Sequence, residues 1–228
     1  MKFSKWAFLG LFALLLGSAG CQTLYNPGLP QVPLMMGGDE TQVGINGGSN
    51  GYGFQLAYSP YYHWVVAGNL SSFNTYLDMR YTEKYKQRQY ELSTGWYTAV
   101  NQNLRLECLG GLGMGSSGVN SDLKFYRRAF LQPSAGISTR YFDFGLTSRF
   151  SGVQYYLDRT AAGELKVNEL GFFWEPGLTL RAGYEQVKFN FQVGLSLAMG
   201  PTDIPRRTLM AGGGIHLTLF RDFDRFRY

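Results

Sequence analysis

Strict alternation of apolar and polar side chains over residues 187–199 is the feature that most limits how this chain can fold. In the sequence VKFNFQVGLSLAM, every second position from Val187 to Met199 is apolar, and the positions between are polar or small. Successive side chains of a strand point to opposite faces, so the segment predicts a strand with one apolar and one polar face. At thirteen residues, it exceeds the roughly 9–11 tilted residues that cross a bilayer.

The same alternation recurs over residues 40–220 and predicts about ten strands. Tight turns are expected near residues 60, 102, 140 and 185, with longer loops between them. Short turns at one end and long loops at the other are typical of transmembrane barrels. The predicted fold is therefore all-β, an antiparallel up-and-down transmembrane β-barrel of about ten strands. Eight strands is the alternative, because the pattern of the first strand is weak. An even count puts both barrel termini in the periplasm, with Cys21 within reach of the inner leaflet.

Composition excludes several classes of protein. With 45% hydrophobic and 16% charged residues, the chain is too apolar to be disordered. A mean hydropathy of −0.16 is compatible with a barrel, whose strands average apolar and polar faces. The formal charge of +5 is small and no nucleic-acid module is visible, so no nucleic-acid partner is expected. Two cysteines do not make a disulfide framework.

Residues 1–20 have the pattern of an export signal. Lys2 and Lys5 precede an apolar run too short to span a bilayer as a helix, and small residues follow. Ser18-Ala19-Gly20-Cys21 resembles the lipobox of bacterial lipoproteins, which implies cleavage before Cys21 and attachment of acyl chains such as palmitate to it. The alternative is an ordinary signal with an incidental cysteine. Gln22 follows, not Asp, which favours the outer membrane over inner-membrane retention.

Residues 21–39 predict a proline-rich periplasmic tether between the lipidated cysteine and the barrel. Pro27, Pro30 and Pro33 recur every three residues, a spacing suited to an extended polyproline-like segment. Two interpretations stay open: a plain linker, or a segment docked on the periplasmic mouth or on a partner. Residues 221–228 are a strand end or a short tail, depending on whether Phe220 or Tyr228 is the closing aromatic residue.

Charged and polar side chains on the inward face of the predicted strands form a candidate lumen network. A ten-strand barrel is narrow, so these groups either line a selective channel or satisfy each other as packing. Basic residues also gather toward the loop side, where they predict either a contact with lipopolysaccharide phosphates or a solvated rim. The lumen set is Glu91, Arg105, Glu107, Arg149, Glu175, Arg181, Lys188 and His216, and the rim set is Lys84, Lys86, Arg88, Arg127, Arg128, Arg206 and Arg207.

Catalytic signals are weak. His63 and His216 lack metal-ligand spacing, and the glycine-rich run at residues 110–115 is not followed by a helix that would hold a phosphate. His216 and Thr218 allow a hydrolase of lipid A or phospholipid as an alternative, but no other triad member is identifiable. No metal, cofactor or catalytic residue is predicted, and the protein is expected not to be an enzyme.

Three motifs together support a resemblance: the lipobox ending in Cys21, the tether from Tyr25-x-Pro27 to Val32-Pro33-Leu34, and the hairpin Gly53-x-x-x-Ala57-Tyr58-Ser59-Pro60. They resemble small outer-membrane β-barrel lipoproteins of Gram-negative bacteria, and residues 40–220 look like barrels of the OmpA/OmpX type. That fold serves adhesion, structure, transport and lipid chemistry alike, so the resemblance does not itself decide the function. The predicted role is structural or accessory, as a subunit or binding surface of an envelope complex, with lipid, lipopolysaccharide and other envelope proteins as partners. The alternatives are a narrow channel for small solutes and a lipid-modifying enzyme.

Overall fold

The computed structural model of the protein describes residues 25–76, 84–120, 122–156, 169–184, 186–202, 204 and 206–220. The predicted signal peptide, Cys21 and the C-terminal segment 221–228 lie outside the described residues, so the predictions for them stay predictions.

The described residues form strands almost throughout. β9 and β10 are separated only at Ser196 and together occupy one place in the barrel. No described helix is long and apolar enough to span a membrane. The strands are β1 (Glu40–Gly48), β2 (Gly51–Tyr61), β3 (Trp64–Tyr76), β4 (Lys84–Ala99), β5 (Leu104–Val119), β6 (Asp122–Ser138), β7 (Phe142–Tyr156), β8 (Glu169–Tyr184), β9 (Val187–Leu195), β10 (Leu197–Ala198) and β11 (Leu209–Phe220).

Each strand pairs antiparallel with its neighbour in sequence, and the sheet closes on itself. β1 pairs with β11 from Glu40↔Phe220 to Gly48↔Gly212, and β9 pairs with both β8 and β11. The result is a closed barrel of ten strands. The predicted fold is confirmed, and the alternative of eight strands is wrong.

The barrel carries its polar residues inside and its apolar residues outside. In β9, Phe189 is 75% exposed, whereas its neighbours Lys188 and Asn190 are 5% and 4% exposed. The outward apolar side chains recur on every long strand and form a continuous belt, which in water would be an aggregation surface. Such a belt is the surface that a lipid bilayer covers in transmembrane barrels.

The two ends of the barrel differ in their connections. The turn end holds the short connections at residues 62–63, 100–103, 139–141 and 185–186. The loop end holds residues 49–50 and 120–121 together with the longer connections at residues 77–83, 157–168 and 199–208. Exposed aromatic side chains ring the turn end, among them Tyr61, Tyr62, Trp64, Tyr141 and Tyr184.

Candidate functional site

Residues 25–38, called here the plug segment, run through the lumen from the loop end to the turn end. At the loop end, Tyr25 bridges to Arg206, and its carbonyl accepts a hydrogen bond from the Arg207 amide at 2.9 Å. At the turn end, the segment passes into β1 at Glu40. Tyr25, Val32 and Met35 are all 0% exposed. The predicted periplasmic tether is therefore wrong for residues 25–38: they are neither a free linker nor docked on the mouth, but fill the barrel.

The middle of the plug segment presents backbone carbonyls, and the barrel wall supplies donors for them. Proline has no N–H, so the three prolines leave this stretch rich in acceptors and poor in donors. Side-chain amides and one guanidinium of the wall meet it. The donors are Gln87 to Asn26 O (2.5 Å), Asn50 to Pro27 O (2.6 Å), Gln55 and Asn69 to Leu29 O (3.3 and 3.2 Å), Gln192 to Pro30 O (3.0 Å), Gln132 to Gln31 O (2.6 Å), and Arg181 to Val32 O and Pro33 O.

Near the turn end the pattern reverses, and the plug segment donates to carboxylates. The Met35 amide donates to Glu107 Oε1 at 2.8 Å. The Met36 and Gly37 amides donate to Glu40 Oε2 at 2.6 and 3.1 Å. Because buried backbone groups need partners, these contacts fix the depth of the segment in the barrel.

Inward-facing glycines make room for the plug segment. A Cβ on Gly212 would lie 2.6 Å from Leu29 Cδ1, and one on Gly136 would lie 2.7 Å from Leu34 Cδ2. At Gly145 it would lie 3.1 Å from Val32 Cγ1, and at Gly177 3.2 Å from Pro30 Cγ. The wall and the segment are thus packed to van der Waals contact.

A cluster of charged side chains fills the lumen between the middle of the barrel and its loop end. Arg128 is held between Glu91, at 2.6 Å, and Glu175. The Tyr25 hydroxyl donates to Glu175 at 2.9 Å, which ties the plug segment to the cluster. Arg149 lies 3.6 Å from Glu91 and 4.8 Å above the centre of the Phe130 ring. Each carboxylate faces a guanidinium, as buried charges require.

Arg128 corrects the predicted basic rim. Its side chain is 0% exposed and joins two lumen carboxylates, so its assignment to the rim is wrong. The neighbouring residues Phe125 and Arg127 face outward, and strand alternation then turns Arg128 inward. Tyr126 and Tyr155 also point inward, where they pack with Tyr25 and Phe173.

A second charged group lies at the turn end. Lys188 Nζ lies 2.7 Å from Asp143 Oδ1, and Arg181 Nη1 lies 4.0 Å from Asp143 Oδ2. A cavity of about 140 Å³ opens beside them, lined also by Glu40, Pro33 and other residues at this end. The charged side chains that line the cavity are Arg140, Arg181 and Lys188 on the basic side and Glu40 and Asp143 on the acidic side.

Two further residues of the predicted lumen set, Arg105 and His216, are also buried. Arg105 donates to the carbonyls of Asn101 and Gln102 at 2.6 and 2.8 Å and so holds the β4–β5 turn. His216 is 5% exposed, and neither ring nitrogen has a hydrogen-bond partner among the described residues. No triad geometry forms at His216, and the described residues hold no cluster suited to a metal ion.

The other rim residues divide between two surfaces. Lys86, Arg88 and Arg127 point outward near the loop end, with Lys84 half-buried beside them. Arg206 and Arg207 are half-buried in the last connection, where Arg207 donates to Ser49 O at 2.7 Å. Lys86, Arg88 and Arg127 therefore present their charges to the surroundings of the barrel.

Sequence reasoning missed the carboxylates Glu40 and Asp143 and the amide of Asn50. The first and last bind the plug segment, and Asp143 anchors the turn-end charges. The sequence did contain a chemical signal for this contact. Many inward-facing side chains carry amides, which donate hydrogen bonds, and the proline-rich segment offers backbone carbonyls but few N–H groups.

Fold and site together define a class: a transmembrane-type β-barrel whose lumen is filled by the segment that precedes its first strand. No family model and no curated protein matches the chain. Among solved structures, the chain is similar to the crystal structure of Acinetobacter baumannii CarO, at 10% sequence identity and a TM-score of 0.32. The match covers 83% of this chain and 100% of that chain. The class of the protein follows from its own strand pairing and outward apolar belt.

Proposed function

We propose that this protein is a lipid-anchored outer-membrane barrel with a structural or accessory role, a subunit or binding surface of an envelope complex, and not an open pore. The observation that carries the proposal is the plug segment. A lumen filled along its length by buried, hydrogen-bonded chain leaves no continuous path for solutes. The outward apolar belt supports the membrane location, and the turn end then faces the periplasm.

Reconstitution in planar lipid bilayers tests the plugged state. The full chain is expected to give no discrete conductance steps. A variant lacking residues 26–36, with Tyr25 joined to Gly37, is expected to conduct, because the polar wall residues that bind the segment then face water. Steady conductance from the full chain, equal to that of the deletion variant, would contradict the proposal.

Native purification in mild detergent tests the accessory role. Mass spectrometry is expected to find larger envelope proteins in stoichiometric amounts with the full chain. A monodisperse protein that copurifies with no other protein under several mild detergents would count against this role.

Lipopolysaccharide is the proposed lipid partner of the outward basic residues. Arg88 and Arg127 flank a groove lined also by Tyr90, Phe125 and Tyr156, close to the loop end. Guanidinium groups suit phosphate, and the apolar neighbours suit acyl chains. The double variant Arg88→Gln/Arg127→Gln should retain less lipopolysaccharide on purification than wild type. Arg140→Gln, at the turn end, is the matched control. An equal loss of lipopolysaccharide in both variants would contradict the assignment of this groove.

A gated channel is the second candidate, and one observation favours it. The wall residues that contact the plug segment are amides and charged groups, which would line an aqueous pore if the segment left. In the deletion variant, changing Glu107 or Arg181 should then alter ion selectivity. An opening signal that makes the full chain conduct would favour this candidate over the structural role.

A further inference from the structure

The direction of the plug segment decides on which side of the membrane the amino terminus emerges. Three contacts fix its first residues at the loop end: Tyr25 with the last connection, Asn26 with Gln87 of β4, and Pro27 with Asn50 in the β1–β2 connection. The segment then descends and enters β1 at Glu40, at the turn end. The described part of the chain therefore begins at the loop end.

Tyr25 is held too firmly for this direction to reverse while the barrel is folded. Its ring stacks on Phe173 with 5.0 Å between centroids and meets the Tyr126 ring edge-on at 6.0 Å. Its hydroxyl donates to Glu175, and the Arg128 guanidinium lies 5.8 Å from its ring centre. An aromatic side chain with a satisfied hydroxyl, buried in contact with two other rings, is a strong anchor.

Covalent geometry then limits where residue 21 can lie. Three residues separate Cys21 from Tyr25, which makes four residue steps, and a fully extended chain spans at most about 14 Å over that length. The apolar band of an outer-membrane barrel is roughly 25 Å tall. Cys21 cannot reach back to the turn end along the outside of the barrel.

We infer that the chain before Tyr25 leaves the barrel through its loop end, so that residue 21 and any acyl chains on it lie at the outer face of the membrane. The outer-face location rests on the membrane orientation and the lipidation given under the proposed function, whereas exit through the loop end does not. The sequence pattern alone had placed Cys21 within reach of the inner leaflet, and the plug segment reverses that expectation. The protein would thus carry its lipid in the leaflet that holds lipopolysaccharide.

Cysteine labelling in intact cells tests the exit direction in the full chain. In a Cys108→Ser background, Thr23→Cys reports the amino terminus, Thr208→Cys the loop end and Gln102→Cys the turn end. The reagent is a maleimide coupled to a polymer too large to pass porins. Thr23→Cys and Thr208→Cys are expected to react in intact cells, and Gln102→Cys only after permeabilisation. Protection of Thr23→Cys in intact cells, whether or not permeabilisation relieves it, would overturn the inference.

Incorporation of labelled palmitate, compared between wild type and Cys21→Ser, tests the lipid separately. Incorporation that depends on Cys21, together with Thr23→Cys labelling, places the acyl chains outside. Labelling of Thr23→Cys without any incorporation would overturn the lipid anchor of the proposed function and leave the exit direction supported.

Discussion

At the scale of single residues, Arg128 is the side chain that holds together the charge cluster in the lumen. It neutralises Glu91 and Glu175 on two sides, and Ser151 Oγ accepts a hydrogen bond from its Nη2 at 2.8 Å. Charges enclosed in a barrel lose their hydration, and close pairing offsets that loss. Removing the guanidinium would leave two buried carboxylates with Arg149, 3.6 Å from Glu91, as the remaining counter-charge of the cluster.

Arg128→Ala is therefore expected to lower the free energy of unfolding by about 3–5 kcal/mol, the usual cost of breaking a buried ion pair. Arg127→Ala is the matched control one residue away: its side chain points outward, so its effect should stay within about 0.5 kcal/mol. Urea unfolding in lipid vesicles, followed by tryptophan fluorescence, measures both. Equal effects of the two variants would show that Arg128 does not hold the cluster.

The sequence predicted most inward residues because strand alternation is a local property. Once β9 is in register, Lys188, Asn190 and Gln192 must share the face opposite Phe189, and all three are buried. Arg128 follows the same rule although it lies close to a loop: it stands three positions after the outward-facing Phe125 in β6, and this odd spacing puts it in the lumen.

At the scale of elements, the plug segment resembles a strand that is not part of the sheet. Its carbonyls and amides pair with wall side chains in place of a second backbone. This arrangement was not predictable from local pattern, because the donors come from β2, β3, β4, β6, β8 and β9 and from the β1–β2 connection. Pro27, Pro30 and Pro33 indicated an extended conformation, but nothing near them in sequence indicates where the segment lies.

Glu107→Ala tests the hold of the wall on this segment. It removes the acceptor of the Met35 amide, a hydrogen bond to a carboxyl group worth about 1.5–3 kcal/mol. Amide hydrogen exchange at residues 35–37 is expected to speed up by about tenfold or more, while exchange in β1–β11 changes less. Glu169→Ala, near the loop end and without a contact to the segment, is the control. Unchanged exchange at residues 35–37 would mean that the carboxyl group does not hold the plug.

At the scale of the whole molecule, the barrel is built for a bilayer. Its polar side chains are buried in the lumen, and its apolar belt has no protein partner in the described structure. In a lipid bilayer that surface is covered by lipid, so the free-energy cost of exposing it to water does not arise. Soluble proteins of this size reverse the arrangement, with apolar residues inside.

The substitution Phe189→Arg tests whether the apolar belt faces lipid. Phe189 is 75% exposed on the outward face of β9. An arginine there is expected to destabilise the barrel in lipid vesicles by up to about 2–4 kcal/mol, depending on its depth. Phe189→Leu should cost far less because it stays apolar. If the two variants unfold alike in vesicles, the belt does not face lipid.

A disulfide between the plug segment and the wall tests directly whether the segment is threaded through the lumen. Val32 Cγ1 lies 3.1 Å from the Cβ position of Gly145, so Cβ atoms at the two sites are close enough to bridge. In a Cys108→Ser background, Val32→Cys/Gly145→Cys is expected to form the bond in native outer membranes. Val32→Cys/Gly152→Cys, with the second cysteine on the outward face of β7, should not. Failure of the first pair to cross-link under oxidation, or equal cross-linking of both pairs, would contradict a segment threaded through the lumen.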